Sequence, residues 1–163
     1  MRCYTVKKEY GGNFMQNVAL NRFLEAQNSF RYGSSYEEAL AEIQRGRKVS
    51  HWIWYVFPQL RGLGQSRTSY FFGLENREEA EAYLSHEILG ARLIAITNEL
   101  LRLPETNIFR IMNAVDAVKL RSCMTLFSQM KNAPKVFEEV LEKYFSGKKD
   151  EKTLCILHEM RVE

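Results

Sequence analysis

The sequence predicts an all-α protein: a single compact multihelical domain of about seven helices, with a short N-terminal arm. Apolar residues recur at helical spacing along most of the chain, whereas the alternating pattern of a half-buried strand is almost absent. The 163 residues are 45% hydrophobic and 26% charged, which is the balance of one globular domain. The clearest helical stripe is Leu89, Leu93, Ile96, Leu100 and Leu103.

The N-terminal part of the chain divides into an arm and two helices. Residues 1–18 have no sustained apolar period and contain two adjacent glycines, so we expect an arm there and the helical domain over 19–163. A stripe on one helix face begins directly after the arm, and Ser35 is placed to cap a second helix. The two stripes are Leu20, Phe23, Leu24, Gln27 and Phe30, and then Tyr36, Leu40 and Ile43.

The later helices are bounded by capping residues and helix breakers. Asn76, followed by Glu79, resembles a capping box and predicts a helix start. Pro104 ends the long leucine-rich stripe, and apolar spacing predicts a further helix over 114–131. The last two helices are bounded by Pro134, Gly147 and Asp150.

The aromatic segment HWIWYVF, residues 51–57, is the exception to this regular pattern. Its composition favours a strand, because aromatic and β-branched side chains suit a pleated surface. Ser50 as an N-cap and Pro58 as a stop favour a short helix instead. The helical context favours the helix, and the strand remains the alternative.

Composition argues against several classes of function. The net charge of +3 is too small to predict a protein that wraps nucleic acid, and no apolar run approaches the ~20 residues of a membrane helix. Three cysteines without a C-x-x-C pair, and no signal-peptide pattern, predict a reducing, cytoplasmic location. No two histidines have metal-ligand spacing, so we predict no metal site and no cofactor, and we assign no catalytic residue.

Four stretches of the chain have distinctive sequences: RKVSHWIWYVFPQLRGLGQS, EAYLSHEILGARL, DAVKLRSCMTLF and VFEEVLEKYFSG…DEKTL. Together, from about Leu20 to Leu157, they resemble the domain of unknown function 1810 family, some members of which carry a calpastatin-like label. The resemblance implies a mainly α-helical fold and a candidate site without established chemistry. Two positions depart from the usual family pattern: Glu87 follows His86 in place of proline, and Cys123 replaces a serine.

The aromatic segment supplies the first candidate site residues. We expect Trp54 and Phe57 to anchor the core, because aromatic side chains bury large apolar areas. His51 and Gln59 are harder to explain as core residues, since each needs a polar partner when buried. With Trp52, they are candidates for contacting the polar and planar parts of a ligand.

Two further candidates lie beside the aromatic segment. Gly62 and Gly64, in the loop RGLGQS, allow backbone N–H groups to approach an anion; the alternative is an ordinary turn. Lys48 precedes the segment and could meet an anion as well; the alternative is a solvated basic linker.

The helix predicted over 114–131 carries the last candidates. Lys119 lies three residues before Ser122 and therefore near it on the helix surface, and Arg121 lies between them in sequence on another face. The alternative for Lys119 is a surface ion pair with Asp116. A Ser–Lys nucleophile has no orienting group in the sequence.

The sequence therefore predicts an uncharacterised helical domain with a pocket for a small anionic, nucleotide-like or ADP-ribose-like ligand. Aromatic side chains would stack on the planar part, and basic side chains would meet the phosphate. The alternative is a structural or protein-interaction domain with no small-molecule ligand, in which the aromatic segment is only core. The predicted ligand-binding residues are Lys48, His51, Trp52, Gln59, Gly62, Gly64, Lys119, Arg121 and Ser122.

Overall fold

The computed structural model describes residues 10–161, with side chains from residue 18 onward. This part of the chain contains ten helices and no strand; one isolated parallel bridge joins Leu60 to Leu74. The all-α prediction is confirmed, and the count exceeds seven because three helices of four to six residues are too short to show a period. The helices are α1 (Tyr10–Gln27), α2 (Tyr36–Gln44), α3 (Ile53–Val56), α4 (Arg67–Phe72), α5 (Arg77–Ser85), α6 (Leu89–Arg102), α7 (Ile108–Ile111), α8 (Ala114–Ser128), α9 (Val136–Phe145) and α10 (Glu151–Glu159).

The predicted helix caps are confirmed where the capping group is local. Ser35, Asn76 and Asp150 each accept a hydrogen bond from the backbone N–H three residues later, at 3.3, 2.9 and 2.9 Å. Such a bond satisfies a donor that the first helical turn leaves unpaired. These caps fix the starts of α2, α5 and α10.

The predicted arm, residues 1–18, lies partly outside the described residues. α1 begins at Tyr10 and continues through Gly11 and Gly12, although each glycine costs a helix interior about 1 kcal/mol relative to alanine. The first buried side chain of the described part is Leu20. The boundary between arm and domain stays a prediction.

The aromatic segment forms the one-turn helix α3 and then an extended stretch. The helical alternative is thus confirmed over four residues. The proposed capping role of Ser50 is wrong, because the residue at the N-cap is Trp52 and no side chain caps the helix. Instead, the Ser50 N–H donates to the carboxylate of Glu42, on α2.

Glu42 is a buried carboxylate, 4% exposed, that binds three successive donors of the segment before α3. It accepts hydrogen bonds from Val49 N at 2.9 Å, from Ser50 N at 3.1 Å and from the indole Nε1 of Trp52 at 2.8 Å. Burial raises the pKa of Glu42, but these hydrogen bonds stabilise its charged form more strongly, and the net effect is a lowered pKa. Trp52 is consequently fully buried, whereas Trp54, which we expected in the core, is only partly buried.

Lys48 ties the same segment to α8. Its ammonium lies 2.8 Å from the carboxylate of Asp116, and the two side chains are only 4% and 12% exposed. The ammonium also donates to the Ser50 carbonyl and lies 4.8 Å from the centre of the Trp52 ring. The backbone N–H of Lys48 donates to the Ile111 carbonyl at 2.7 Å. The hydrogen bonds to Glu42 therefore hold this segment against α2, and the Lys48–Asp116 pair holds it against α8.

α8 is the central helix of the fold. It packs against α3, α5, α7, α9 and α10. Its side chains Leu120, Met124 and Phe127 are fully buried, as their spacing predicted. Between residues 10 and 161, no helix combines the length and hydropathy that a bilayer crossing requires.

Exchanging each tryptophan for alanine tests which one anchors the core. Trp52→Ala should lower the free energy of unfolding by about 3–5 kcal/mol, because it empties a fully buried site and removes one of the hydrogen bonds to Glu42. Trp54→Ala should cost about 1–2 kcal/mol, because only part of that ring is withdrawn from water. Chemical denaturation of both variants measures the difference, and a larger loss for Trp54→Ala would contradict this assignment.

The lowered pKa of Glu42 predicts a defined pH dependence. A carboxylate with a lowered folded-state pKa stabilises the protein above its unfolded pKa of about 4.3, and the stabilisation is lost as the pH falls through the folded pKa. Glu42→Gln should therefore cost about 1–3 kcal/mol at neutral pH, and the difference from the wild type should shrink in acid. Denaturation between neutral and acid pH measures this, with exposed Glu87→Gln as the control. A pH-independent difference would mean that packing, not charge, explains the role of Glu42.

Candidate functional site

A cavity of about 460 Å³ lies where the loop before α4, the first half of α8 and the start of α10 meet. It brings together four of the residues that the sequence singled out, from two segments far apart in the chain. The lining residues are Gln59, Leu63, Gly64, Gln65, Ser66, Ser69, Val115, Val118, Lys119, Ser122, Asp150 and Lys152.

Gln59 and Gly64 form one wall of this cavity. The Gln59 carbonyl accepts a hydrogen bond from Leu74 N at 2.9 Å, which fixes the residue, and its side chain is only 8% exposed. Within the described part of the chain, the Gln59 amide makes no hydrogen bond. A Cβ at Gly64 would lie 2.5 Å from the Cβ of Ser69, so the loop approaches α4 closely only because residue 64 is glycine.

Lys119 supplies a positive charge on the opposite wall. Its half-buried ammonium lies 5.3 Å from the centre of the Trp54 ring, a cation–π contact. The surface pair with Asp116 is not formed, because Asp116 binds Lys48 instead. Among residues 18–161, no carboxylate oxygen lies within ion-pair distance of the Lys119 ammonium. The charge is therefore available to a molecule in the cavity.

Three serine hydroxyls line the same cavity. Ser66 Oγ caps α4 by accepting a hydrogen bond from Ser69 N at 3.0 Å, and the two hydroxyls lie 2.9 Å apart. Ser122 Oγ donates to the Val118 carbonyl at 3.1 Å. Because a backbone carbonyl does not act as a general base, this geometry provides hydrogen-bonding groups and does not activate Ser122 as a nucleophile.

The remaining lining is partly apolar and contains one aspartate and one further lysine. Val115 and Val118 are 64% and 63% exposed, so both side chains lie outside the core. Asp150 is engaged by the first turn of α10, where its carboxylate accepts from Thr153 N at 2.9 Å and from Thr153 Oγ1 at 2.6 Å. Lys152 also lines the cavity, so the two lysines and one aspartate of the lining have a net formal charge of +1.

Two predicted site residues have structural partners instead. The Lys48 ammonium is paired with Asp116 and nearly withdrawn from solvent. Trp52 has no exposed surface, and its indole N–H is bound to Glu42. Both residues lie outside the set that lines the cavity.

Three other predicted residues are also outside the cavity lining. His51 is exposed, and its carbonyl accepts a hydrogen bond from the Tyr55 hydroxyl at 3.2 Å. Gly62 is exposed in a turn with a φ of 101°, a backbone conformation that favours glycine. Arg121 donates to the backbone carbonyls of residues 148 and 149 at 2.7 and 2.9 Å, which holds the loop before α10.

Sequence reasoning missed much of the polar and apolar lining. Ser66 followed by Ser69 has the spacing of a helix cap, and that signal was available. Val115 and Val118 are spaced as one helix face, yet the core face of α8 is a different one. Nothing in the local sequence of Lys152 marks it, because it joins the cavity only through the packing of α10 against α8.

A larger depression of about 720 Å³ lies along α9. Its lining combines three lysines with three glutamates, and two of the lysines already bind other groups of the protein. Lys143 donates to the carbonyls of Leu101 at 3.0 Å and Leu100 at 3.2 Å, and Lys149 lies 3.6 Å from Glu138. The smaller cavity is therefore the better candidate for an anion, despite its size.

The geometry defines a helical domain with a positively charged cavity beside its central helix. The chain matches the family "Protein of unknown function (DUF1810)" over residues 17–157, and it belongs to this family. It is similar to the conserved hypothetical protein Rv1873 from Mycobacterium tuberculosis, a crystal structure, with 40% identity and a TM-score of 0.80 over 85% of this chain and 96% of that one. No curated protein matches. The family resemblance seen in the four sequence motifs is thus confirmed.

The close approach of Gly64 to Ser69 predicts a coupled pair of substitutions. Gly64→Ala should lower the free energy of unfolding by about 1–3 kcal/mol, because the added methyl group overlaps the Ser69 side chain. Ser69→Gly removes that overlap, so the double variant should lose less stability than the sum of the single variants. Chemical denaturation of the three variants measures the coupling. Strict additivity would show that the loop moves away from α4 without cost.

Proposed function

We propose that this protein binds a small anionic molecule with a planar part, nucleotide-like or ADP-ribose-like, in the cavity of Gln59 and Lys119. One observation carries the proposal: the cavity is lined by the half-buried Lys119, whose ammonium has no carboxylate within ion-pair distance among residues 18–161, and by Gln59, a residue only 8% exposed whose amide opens to the cavity. Both groups can therefore offer hydrogen bonds to a bound molecule in the cavity.

Lys119 is the group that meets the anion. A lysine ammonium is a compact point charge with three donors and binds phosphate oxygens in that way. The Trp54 ring, whose centre lies 5.3 Å from the ammonium, restricts the positions that the Lys119 side chain can take. Trp54 is therefore a positioning residue for Lys119.

The other wall supplies selectivity. The Gln59 amide offers both a donor and an acceptor, which suits the polar edge of a planar ring. Leu63, Val115 and Val118 give that ring an apolar surface. The volume of about 460 Å³ lies in the range of roughly 300–1,000 Å³ typical of small-molecule sites.

Thermal shift against nucleotides, ADP-ribose and sugar phosphates tests the proposal. A molecule that binds only the folded state raises the melting temperature. Lys119→Gln should retain the fold and weaken the binding of the active compound by about tenfold or more, measured by calorimetric titration. Lys131→Gln, in the turn that follows α8, should bind like the wild type. Equal affinity in Lys119→Gln and the wild type would exclude this cavity.

The predicted role of His51 can be separated in the same experiment. His51 is exposed and outside the cavity lining, so His51→Ala should change stability by less than ~1.5 kcal/mol. Unchanged affinity in this variant would restrict the site to the cavity. A loss comparable to that of Lys119→Gln would extend it to the start of the aromatic segment.

The alternative is a structural or protein-interaction domain without a small-molecule ligand. One observation favours it: most of the aromatic segment, including Trp52, Tyr55 and Phe57, is sealed in the core. A wild-type protein that no nucleotide, ADP-ribose or sugar phosphate stabilises would support this alternative.

A further inference from the structure

A second, smaller cavity of about 150 Å³ lies at the other end of α8. It is formed where the start of α5, the end of α8 and the C-terminal half of α10 meet, and it shares no lining residue with the cavity of Gln59 and Lys119. Its lining residues are Arg77, Gln129, Leu154, Leu157, His158 and Arg161.

Arg77 is held in place, but only one of its three side-chain nitrogens has a hydrogen-bond acceptor among the described residues. Its Nη1 donates to the Gln129 carbonyl at 2.9 Å, which fixes the guanidinium against the end of α8. Its Nε and Nη2 are buried, and neither has a hydrogen-bond acceptor among the described residues. These two adjacent donors form the edge of the guanidinium that binds two oxygens of a phosphate or carboxylate at once.

The cavity side of Arg77 is basic, whereas Glu78 and Glu81 accompany Arg77 in a separate depression. Arg161 and His158 line the cavity, and no carboxylate does so within the part of the chain that the structure describes. The acid beside Arg77 is Glu81, whose Oε1 lies 3.9 Å from Nη1, the nitrogen already bound to Gln129. Glu81 Oε1 also accepts from Lys131 N at 2.8 Å. Glu81 therefore leaves the unpartnered edge of Arg77 unsatisfied.

The size of the cavity limits what it can hold. About 150 Å³ corresponds to roughly five water molecules at ~30 Å³ each, enough for a phosphoryl group and too small for a nucleotide. An oxyanion of tetrahedral shape provides several acceptors in this volume. It would satisfy the fork of Arg77 and still reach a second basic side chain.

We propose that Arg77, together with Arg161 and His158, forms a second anion site that binds a phosphate-sized oxyanion. The occupant is either inorganic phosphate or a phosphoryl group carried by a larger molecule. The site is independent of the nucleotide-like ligand proposed for the cavity of Gln59 and Lys119.

Calorimetric titration with inorganic phosphate, at constant ionic strength in sodium chloride, tests the site. The wild type should bind phosphate, and Arg77→Lys should weaken the binding about tenfold or more, since lysine lacks the two-donor fork. Arg161→Gln is a second variant at an exposed position that should weaken binding without affecting folding. Arg102→Gln, on the exposed side of α6, is the control and should bind normally.

Two further measurements identify the location and the source of the phosphoryl group. The Nε–H resonance of Arg77 should shift on phosphate addition, and Lys119→Gln should leave phosphate affinity unchanged. Tighter binding of phosphoserine than of inorganic phosphate would identify a phosphoryl group on a larger molecule as the occupant, and the reverse order would identify the free ion.

The proposal is overturned by either of two results. One is no phosphate binding by the wild type at about 10 mM, ten times a Kd of about 1 mM, which would mean that water satisfies the Arg77 donors. The other is binding that Lys119→Gln abolishes and Arg77→Lys preserves, which would assign phosphate to the first cavity.

Discussion

The buried carboxylate of Glu42 is the interaction on which the arrangement of this protein depends. It accepts hydrogen bonds from Val49, Ser50 and Trp52, and so determines where the aromatic segment enters the core. Each of these donors, if left buried without an acceptor, would cost about 1–3 kcal/mol. A single side chain on α2 thus decides that Trp52 is sealed inside and that Trp54, two residues later, reaches the surface of the core.

The same segment determines which charges remain available. Lys48 follows the path set by Glu42 and reaches Asp116 at the start of α8, where the two charges are paired and nearly withdrawn from water. Asp116 is the carboxylate that helical spacing would have offered to Lys119. Because that carboxylate is occupied, Lys119 rests on the Trp54 ring and faces the cavity. The unpaired positive charge of the candidate site therefore depends on the Lys48–Asp116 pair, which lies outside the cavity.

α8 connects the two cavities of interest. Its first half carries Lys119 and Ser122, and the carbonyl of Gln129 at its other end holds the guanidinium of Arg77. The helix packs against five others, which support it along its length. Binding groups on a rigid helix are placed more accurately than groups on mobile loops. For a family of unknown function, these two positively charged cavities are the features through which a ligand can be sought.

The sequence by itself determined the all-α class, the course of α6, and the caps of Ser35, Asn76 and Asp150, because each depends on residues within a few positions of one another. It also marked two of the three segments that meet at the candidate site, the one with Gln59 and Gly64 and the one with Lys119 and Ser122. Only the tertiary structure decided how those segments pair. Burial and ion pairing act between residues far apart in the chain, so local spacing cannot tell that Lys48 takes the partner that Lys119 lacks.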